Sequence, residues 1–201
     1  MGRPKAAEPP AGTRLRLDGR AAARMAAGFA AGLALWFAFA APYDQTVAAA
    51  AGFLIRTFES PAVTSLSAQS GEIRVDRSDF PPASPRPGLP AADLHFNFVL
   101  LVALFAFVPR PLEPARFLRF WIAAAGLWAI HVLALVFQVE SVYATRLGAW
   151  SEAHYGSFAS NLWAGGFHFY QIAGRFAAPF ALWWLLVRPE IDPRRPRSEK
   201  R

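Results

Sequence analysis

Four long apolar runs divide this sequence, and most of its charged residues lie between them. A helix that crosses the hydrocarbon core of a bilayer needs about 20 predominantly apolar residues. The runs approach or reach that length, and 17% of the residues are charged, against about 25% in ordinary soluble domains. The sequence therefore predicts a small membrane protein, and it excludes a disordered chain.

We predict an all-α membrane fold with four transmembrane helices. The spans are placed at about residues 21–41, 94–108, 118–139 and 166–187. The second span is short, and Pro179 inside the fourth span predicts a kink. Residues 21–187 would form one membrane domain, flanked by basic tails (residues 1–20 and 188–201) that we expect to be disordered.

The basic residues predict the orientation of this domain. Of the 21 Lys and Arg residues, fifteen lie near the two ends of the chain or between the second and third runs, and five lie in the other two connections. Basic flanks stay in the cytoplasm, so both termini are predicted to be cytoplasmic. The net charge of +7 then reflects topology, and nucleic acid is not an expected partner.

The first span could in principle be a signal peptide. Ala38-Phe39-Ala40 has the small-residue pattern of a cleavage site after an apolar stretch. The polar lead of about 20 residues is longer than a signal peptide usually has. We therefore favour an uncleaved anchor, and cleavage would leave three spans in the same orientation.

The connection between the first two spans, residues 42–93, is predicted to form a small outer (periplasmic) insertion. Its Ala-rich residues 47–58 predict a helix, capped by Asp44 or Thr46, that lies on the membrane surface or on the bundle. The proline-rich residues 80–90 predict a stiff connector back to the membrane.

Between that helix and that connector, two strand patterns predict a β-hairpin. They cover residues 62–69 and 72–77 and flank the turn sequence Ser70-Gly71. An isolated hairpin is marginal in water, so it must pack on the bundle or on a partner. A short helix along the outer interface is predicted within residues 140–162.

Polar side chains inside the predicted spans are the candidate functional residues, because such groups are costly in a bilayer. They are His95, Asn97, His131, Gln138, His168, Gln171 and Arg175. With the third and fourth spans antiparallel and level, His131 would lie beside Arg175, and Gln138 beside His168.

This polar seam has two interpretations, a pocket that opens to the outside or a hydrogen-bond ladder that fixes helix packing. Arg175 cannot lose its charge, and no acidic residue is predicted at its depth, so it needs an acceptor. The chain has no Cys, which excludes thiolate sites, and two histidines without nearby carboxylates make a weak metal site. We expect no cofactor.

Three stretches of this sequence form a recognisable pattern, namely LHFNFVLLVAL (Leu94–Leu104), HVLALVFQVE (His131–Glu140) and YQIAGRFAAPFALWWLL (Tyr170–Leu186). In these stretches the chain resembles the small membrane proteins associated with exosortase H in Gram-negative bacteria. The resemblance covers most of residues 21–187. It carries over to this chain only structural family residues, namely Tyr170, Gln171, Pro179 and Trp183.

The resemblance implies a non-catalytic accessory protein of the bacterial inner membrane. Its partners would be the exosortase, a membrane-embedded enzyme, or the C-terminal sorting tails that this enzyme processes. Family exosortases use a Cys nucleophile, and this chain has no Cys, so it cannot be the enzyme itself. The alternatives are a small intramembrane hydrolase or transferase using His131, His168 and Arg175, and, less favoured, a transporter.

Overall fold

A computed structural model of the chain describes residues 19–80 and 86–191. The tails predicted to be disordered lie almost wholly outside this part of the chain. Their innermost residues, 19–20 and 188–191, are helical instead. The described fold is mostly helical, with one small sheet.

The elements follow one another along the chain as helices, three strands and further helices. They are α1 (Gly19–Phe58), β1 (Thr64–Gln69), β2 (Glu72–Arg77), β3 (Gly88–Pro90), α2 (Ala92–His95), α3 (Phe98–Phe107), α4 (Pro114–Thr145), α5 (Ala149–His154), α6 (Ser157–Phe169), a π-helical turn (Tyr170–Gly174) and α7 (Arg175–Ile191).

The first predicted span and the predicted outer helix are one continuous helix, α1, with Pro42 inside it. The prediction of two helices was wrong, because it ended the first span at residue 41 and began a separate helix at residue 47. One buried face continues past Pro42 through Asp44, Val47, Ala48 and Ala51, and this packing outweighs the one backbone hydrogen bond that a proline removes. Asp44 and Thr46 therefore lie within the helix and cap nothing.

In the described part of the chain, two helices, α1 and α4, are long and apolar enough to cross a membrane. Within their apolar windows, 11% of the residues of α1 and 39% of those of α4 are buried. A core helix of a soluble protein would be mostly buried, whereas these helices expose large side chains such as Phe37, Phe39, Trp121 and Ile122. Their length and composition are those of membrane-spanning helices.

The other two apolar runs are also helical, although neither passes the same test. Residues Ala92–Phe107 form a shorter apolar helical segment, broken near Phe96 and Asn97. The fourth run is helical from Ser157 to Ile191, with α geometry interrupted at Tyr170–Gly174. This interruption lies one turn before Pro179, where the sequence predicted a kink.

Close helix packing positions α3 between α1 and the rest of the bundle. A Cβ atom on Gly28 would lie 2.3 Å from the Cβ atom of Ala106, and one on Gly32 would lie 3.1 Å from the carbonyl oxygen of Val99. These glycines let the two backbones approach closely, as small residues do between membrane helices. The approach brings the start of α3 and the preceding α2 against the middle of α1.

The predicted hairpin is confirmed, and it belongs to a three-stranded antiparallel sheet in the order β1-β2-β3. Gln69 pairs with Glu72 across a two-residue turn in which Ser70 and Gly71 have φ angles of 53° and 78°, the conformation that such hairpins require. The third strand was missed, because its proline-rich sequence predicted a connector. It pairs with β2 through Ile73 and Leu89.

The sheet packs on the bundle, as the hairpin required. Ile73, Val75 and Leu89 share one buried cluster with residues of the outer half of α1 and of α4. The short helix predicted within residues 140–162 is present as α5. Helix α4 continues to Thr145, and the short α5 and the start of α6 fill the remainder.

Candidate functional site

A buried histidine joins α2 to α1. Trp36 Nε1 donates a hydrogen bond to His95 Nδ1 at 3.0 Å, and His95 Nε2 contacts the carboxylate of Asp44. An indole nitrogen can only donate, so His95 Nδ1 must be the acceptor, and the ring proton is on Nε2. His95 is therefore the neutral tautomer that donates to Asp44, and both side chains are almost fully buried.

A second chain of hydrogen bonds begins at Tyr43 and ends on a backbone carbonyl. Tyr43 Oη lies 2.6 Å from His131 Nδ1, His131 Nε2 lies 2.8 Å from Asn97 Oδ1, and Asn97 Nδ2 donates to the Arg175 carbonyl oxygen at 2.7 Å. The carbonyl can only accept, which fixes the Asn97 amide orientation. His131 then donates from Nε2 and accepts from the Tyr43 hydroxyl at Nδ1.

Pro179 explains why the Arg175 carbonyl takes part in this chain. In α7 the carbonyl of Arg175 would accept from the backbone N–H of residue 179, and a proline has none. Asn97 supplies the missing donor from a neighbouring helix. Pro179 is fully buried, so the donor must come from the protein itself.

The two hydrogen-bonded chains lie side by side at the junction of α1, α2, α3 and α4. The His95 and His131 rings are 6.4 Å apart between centroids, and the Tyr43 ring lies 5.2 Å from His95 and 5.8 Å from His131. We call Trp36, Tyr43, Asp44, His95, Asn97 and His131 the polar junction. Its Tyr43–His131–Asn97 chain consists of neutral donors and acceptors, and its one carboxylate, Asp44, accepts from the neutral His95 ring. These hydrogen bonds hold four helices in one register.

The predicted seam between the third and fourth spans was therefore only partly right. The helical register is close to expectation, since Phe137 of α4 packs directly against Gly166 of α6. His131, however, bonds to Tyr43 and Asn97, not to Arg175. Gln138 is buried on α4, whereas His168 is exposed and its ring lies beside Phe167.

Arg175 is half-buried, and its polar partners among residues 19–80 and 86–191 are distant. Its Nη1 lies 3.4 Å from Gln171 Oε1, and its Nη2 lies 3.9 Å from the carboxylate of Asp93. The sequence placed no acidic residue at this depth, yet Asp93 is next to it. Asp93 is itself 58% exposed, so the ion pair is weak.

The four residues carried over from the family resemblance lie in contacts within the helical bundle. The Tyr170 hydroxyl donates to the Leu94 carbonyl oxygen, and Gln171 faces Arg175. Pro179 frees the carbonyl that Asn97 binds. Trp183 has a buried Nε1 atom, and within the described residues this atom has no hydrogen-bond partner.

A second cluster of polar residues lies at the end of the bundle that carries the sheet, where the sheet meets α4 and α5. Arg77 bonds to Glu59 at 2.6 Å and to Asp79 at 2.9 Å. Its guanidinium also lies 4.9 Å from the ring centre of Tyr143 and 4.8 Å from that of Trp150. We call this group of five residues the charged cluster.

The charged groups in this cluster shift one another's pKa values. Burial opposes the charge on Arg77, but the hydrogen bond to Asp79 and the charges of Glu59 and Asp79 outweigh it and raise the pKa of Arg77. The hydrogen bond from Arg77 lowers the pKa of Asp79. Nearby, burial and the hydrogen bond to Glu140 raise the pKa of Tyr155.

Sequence reasoning missed Tyr43 and Asp44 as site residues because it placed the end of the first span at Ala41, and it gave Trp36, inside that span, no polar role. A signal was present: Asp44, Val47, Ala48, Ala51 and Ile55 are spaced by three and four, so one helical face continues past Pro42.

Comparison with models of known protein families, with curated proteins and with solved structures gave no match.

Proposed function

We propose that this protein is a non-catalytic accessory of an exosortase-type sorting system. It would cross the inner membrane four times, with both termini in the cytoplasm. The helical fourth run, which exposes Ile172, Phe176, Phe180 and Trp184, supports a fourth span. The resemblance of three stretches to exosortase H-associated proteins supplies the partner.

The observation that carries the proposal is the state of Arg175. A guanidinium has five N–H donors, and the nearest acceptors of Arg175 are at 3.4 Å and 3.9 Å, at or beyond the limit of a good hydrogen bond. The polar junction, by contrast, satisfies itself internally. Among the polar side chains of the predicted spans, Arg175 is thus the one best able to donate hydrogen bonds to another protein. The acceptor would be a carboxylate or a carbonyl of the exosortase or of a sorting tail.

The test is co-purification of the tagged full-length protein from its native membrane, followed by mass spectrometry. A stoichiometric exosortase or sorting-tail protein should be present with the unaltered chain and be lost with Arg175→Ala. Arg146→Ala is the matched control, because Arg146 is exposed at the end of α4, and it should retain the partner. An Arg175→Ala protein that folds normally and supports full processing of sorting tails refutes the proposal.

A second candidate is a small intramembrane hydrolase or transferase. The observation in its favour is the buried pair of His95 and Asp44, since a carboxylate that orients a histidine is a common part of acid–base catalysis. The His131, His168 and Arg175 set that the sequence suggested is not assembled by any contact among the described residues. Turnover by the purified protein, abolished by both His95→Ala and His131→Ala, would favour this candidate.

A further inference from the structure

An apolar groove of about 570 Å³ opens between α1 and α4. Its α1 wall includes Leu35, Trp36 and Phe39, and its α4 wall runs from Phe117 to Trp128. The two helices touch at the upper end, where Trp128 Nε1 donates to Thr46 Oγ1. Below that contact the helices diverge, and α3 and the polar junction form the floor.

The polar atoms at the edge of the groove are already used inside the protein. Trp36 donates to His95, the Tyr43 hydroxyl bonds to His131, and Trp128 donates to Thr46. These residues present their ring carbons to the groove. A ligand there gains contacts along its length but few hydrogen bonds, which selects hydrocarbon over a polar molecule.

The groove also lies where hydrocarbon is present. It is bounded by the two helices that are long and apolar enough to cross a membrane. Its rim residues Phe39, Phe117 and Trp121 are 60%, 47% and 54% exposed, so the opening faces the same side as the unpaired apolar surface. A volume of this size is in the range of small-molecule sites.

Basic residues gather at the end of the bundle where the groove begins. Arg20 and Arg24 are in the first turns of α1, and Arg24 donates to the Phe107 carbonyl at the end of α3. The loop that follows and the start of α4 carry Arg110, Arg116 and Arg119. Against these five, the first turns of α1, the loop and the start of α4 carry one acidic residue, Glu113, which lies 3.7 Å from Arg116 Nη1. This end is thus complementary to an anionic headgroup.

We propose that the groove binds one acyl chain of an anionic phospholipid, with the headgroup phosphate at the basic end. The lipid would fill the gap between α1 and α4. The site is separate from Arg175, so the sorting role could fail while the lipid site stands. The proposal needs only that α1 and α4 lie in a membrane.

The test uses the full chain in mild detergent, stripped of lipid and titrated with phosphatidylglycerol or phosphatidylcholine while native mass spectrometry counts bound lipids. We expect one phosphatidylglycerol per chain, bound more tightly than phosphatidylcholine. Ala40→Phe with Ala125→Phe should weaken binding by at least about tenfold, since each excluded methylene costs about a factor of four. The control pair Ala38→Phe and Ala129→Phe adds the same volume at exposed positions that do not line the groove.

Equal binding by the filled and control variants overturns the proposal. Equal affinity for the two lipids overturns its anionic part. The alternative occupant is a helix of a partner protein. In that case the filled and control variants would bind the same number of lipids, and a protein that co-purifies with the control variant would be missing from the filled one. If the filled variant does not fold, binding of brominated phosphatidylglycerol to the unaltered chain is measured by the quenching of its tryptophan fluorescence. Tryptophan quenching should saturate at one lipid per chain, and quenching that does not saturate refutes the site.

Discussion

The polar junction and the charged cluster bury polar groups in two different ways. In the junction, the Tyr43–His131–Asn97 chain is neutral and ends on a backbone carbonyl, and the buried Asp44 carboxylate is held by a hydrogen bond from the neutral His95 ring. The charged cluster uses full charges, with Arg77 held by Glu59 and Asp79 and covered by aromatic rings. Both groups join elements that are far apart in the sequence.

The difference follows from the distance to water. Asp79 is 43% exposed in the charged cluster, so part of the ion-pair network stays solvated and the cost of desolvation is limited. The junction is enclosed by four helices at the level of the apolar groove, where an unmatched charge is expensive. Hydrogen bonds from neutral groups fix the helix register there, including the one that holds the Asp44 carboxylate.

The largest effect is expected from breaking the charged cluster at its centre. Arg77→Met leaves the Glu59 carboxylate, 14% exposed, without its cation. We expect a loss of about 3–5 kcal/mol in the free energy of unfolding, measured by chemical denaturation in detergent micelles. Arg74→Met, at an exposed position of the same strand, should change it by less than about 0.5 kcal/mol. Similar losses for the two variants would show that the cluster contributes little.

The next effect tests the neutral junction. Asn97→Ala leaves both the His131 Nε2–H group and the Arg175 carbonyl without partners, at about 1–3 kcal/mol each. Pro179→Ala restores a backbone N–H that can reach the Arg175 carbonyl. Asn97→Ala should therefore cost about 1–3 kcal/mol less in the Pro179→Ala background. Denaturation of the four proteins of this cycle measures the coupling, and additive losses would contradict the role given to Pro179.

The smallest effect concerns how the stability contributed by the charged cluster depends on pH. Arg77 lowers the pKa of Asp79, so this carboxylate stabilises the fold above its unfolded pKa of about 3.9, and the contribution is lost as the pH falls through the lowered folded value. Because Asp79 is partly exposed, Asp79→Asn should cost about 0.2–1 kcal/mol at pH 7. Thermal unfolding at pH 7 and at progressively lower pH should show the difference disappearing. A constant difference would mean that the charge of Asp79 is not the cause.

Local signals in the sequence predicted local structure well. Ser70-Gly71 between two alternating segments predicted the hairpin, because Gly71 adopts at little cost the positive φ angle that a two-residue turn needs. Apolar runs predicted where helices form, and level antiparallel packing placed Phe137 near Gly166 within a few residues. Two of the four predicted spans coincide with helices that meet the requirements for crossing a membrane.

The polar junction could not be predicted in the same way, since its partners come from helices that are remote in sequence. Tyr43 and His131 are 88 residues apart, and Asp44 and His95 are 51 apart. No pattern within one run indicates which run it faces. We assumed that the third and fourth spans pair with each other, and this assumption placed His131 beside Arg175. In the structure, α1 occupies that side of α4.

The length of α1 has a mechanical consequence. Forty helical residues measure roughly 60 Å, about twice the hydrocarbon thickness of a bilayer. In a bilayer, about half of α1 would therefore project beyond the hydrocarbon, and this half packs on the sheet together with α4. A change of ten degrees in the tilt of α1 would displace the end of the projecting half by roughly 5 Å, so α4 and the sheet would have to move with it or lose the buried contacts that they share with α1.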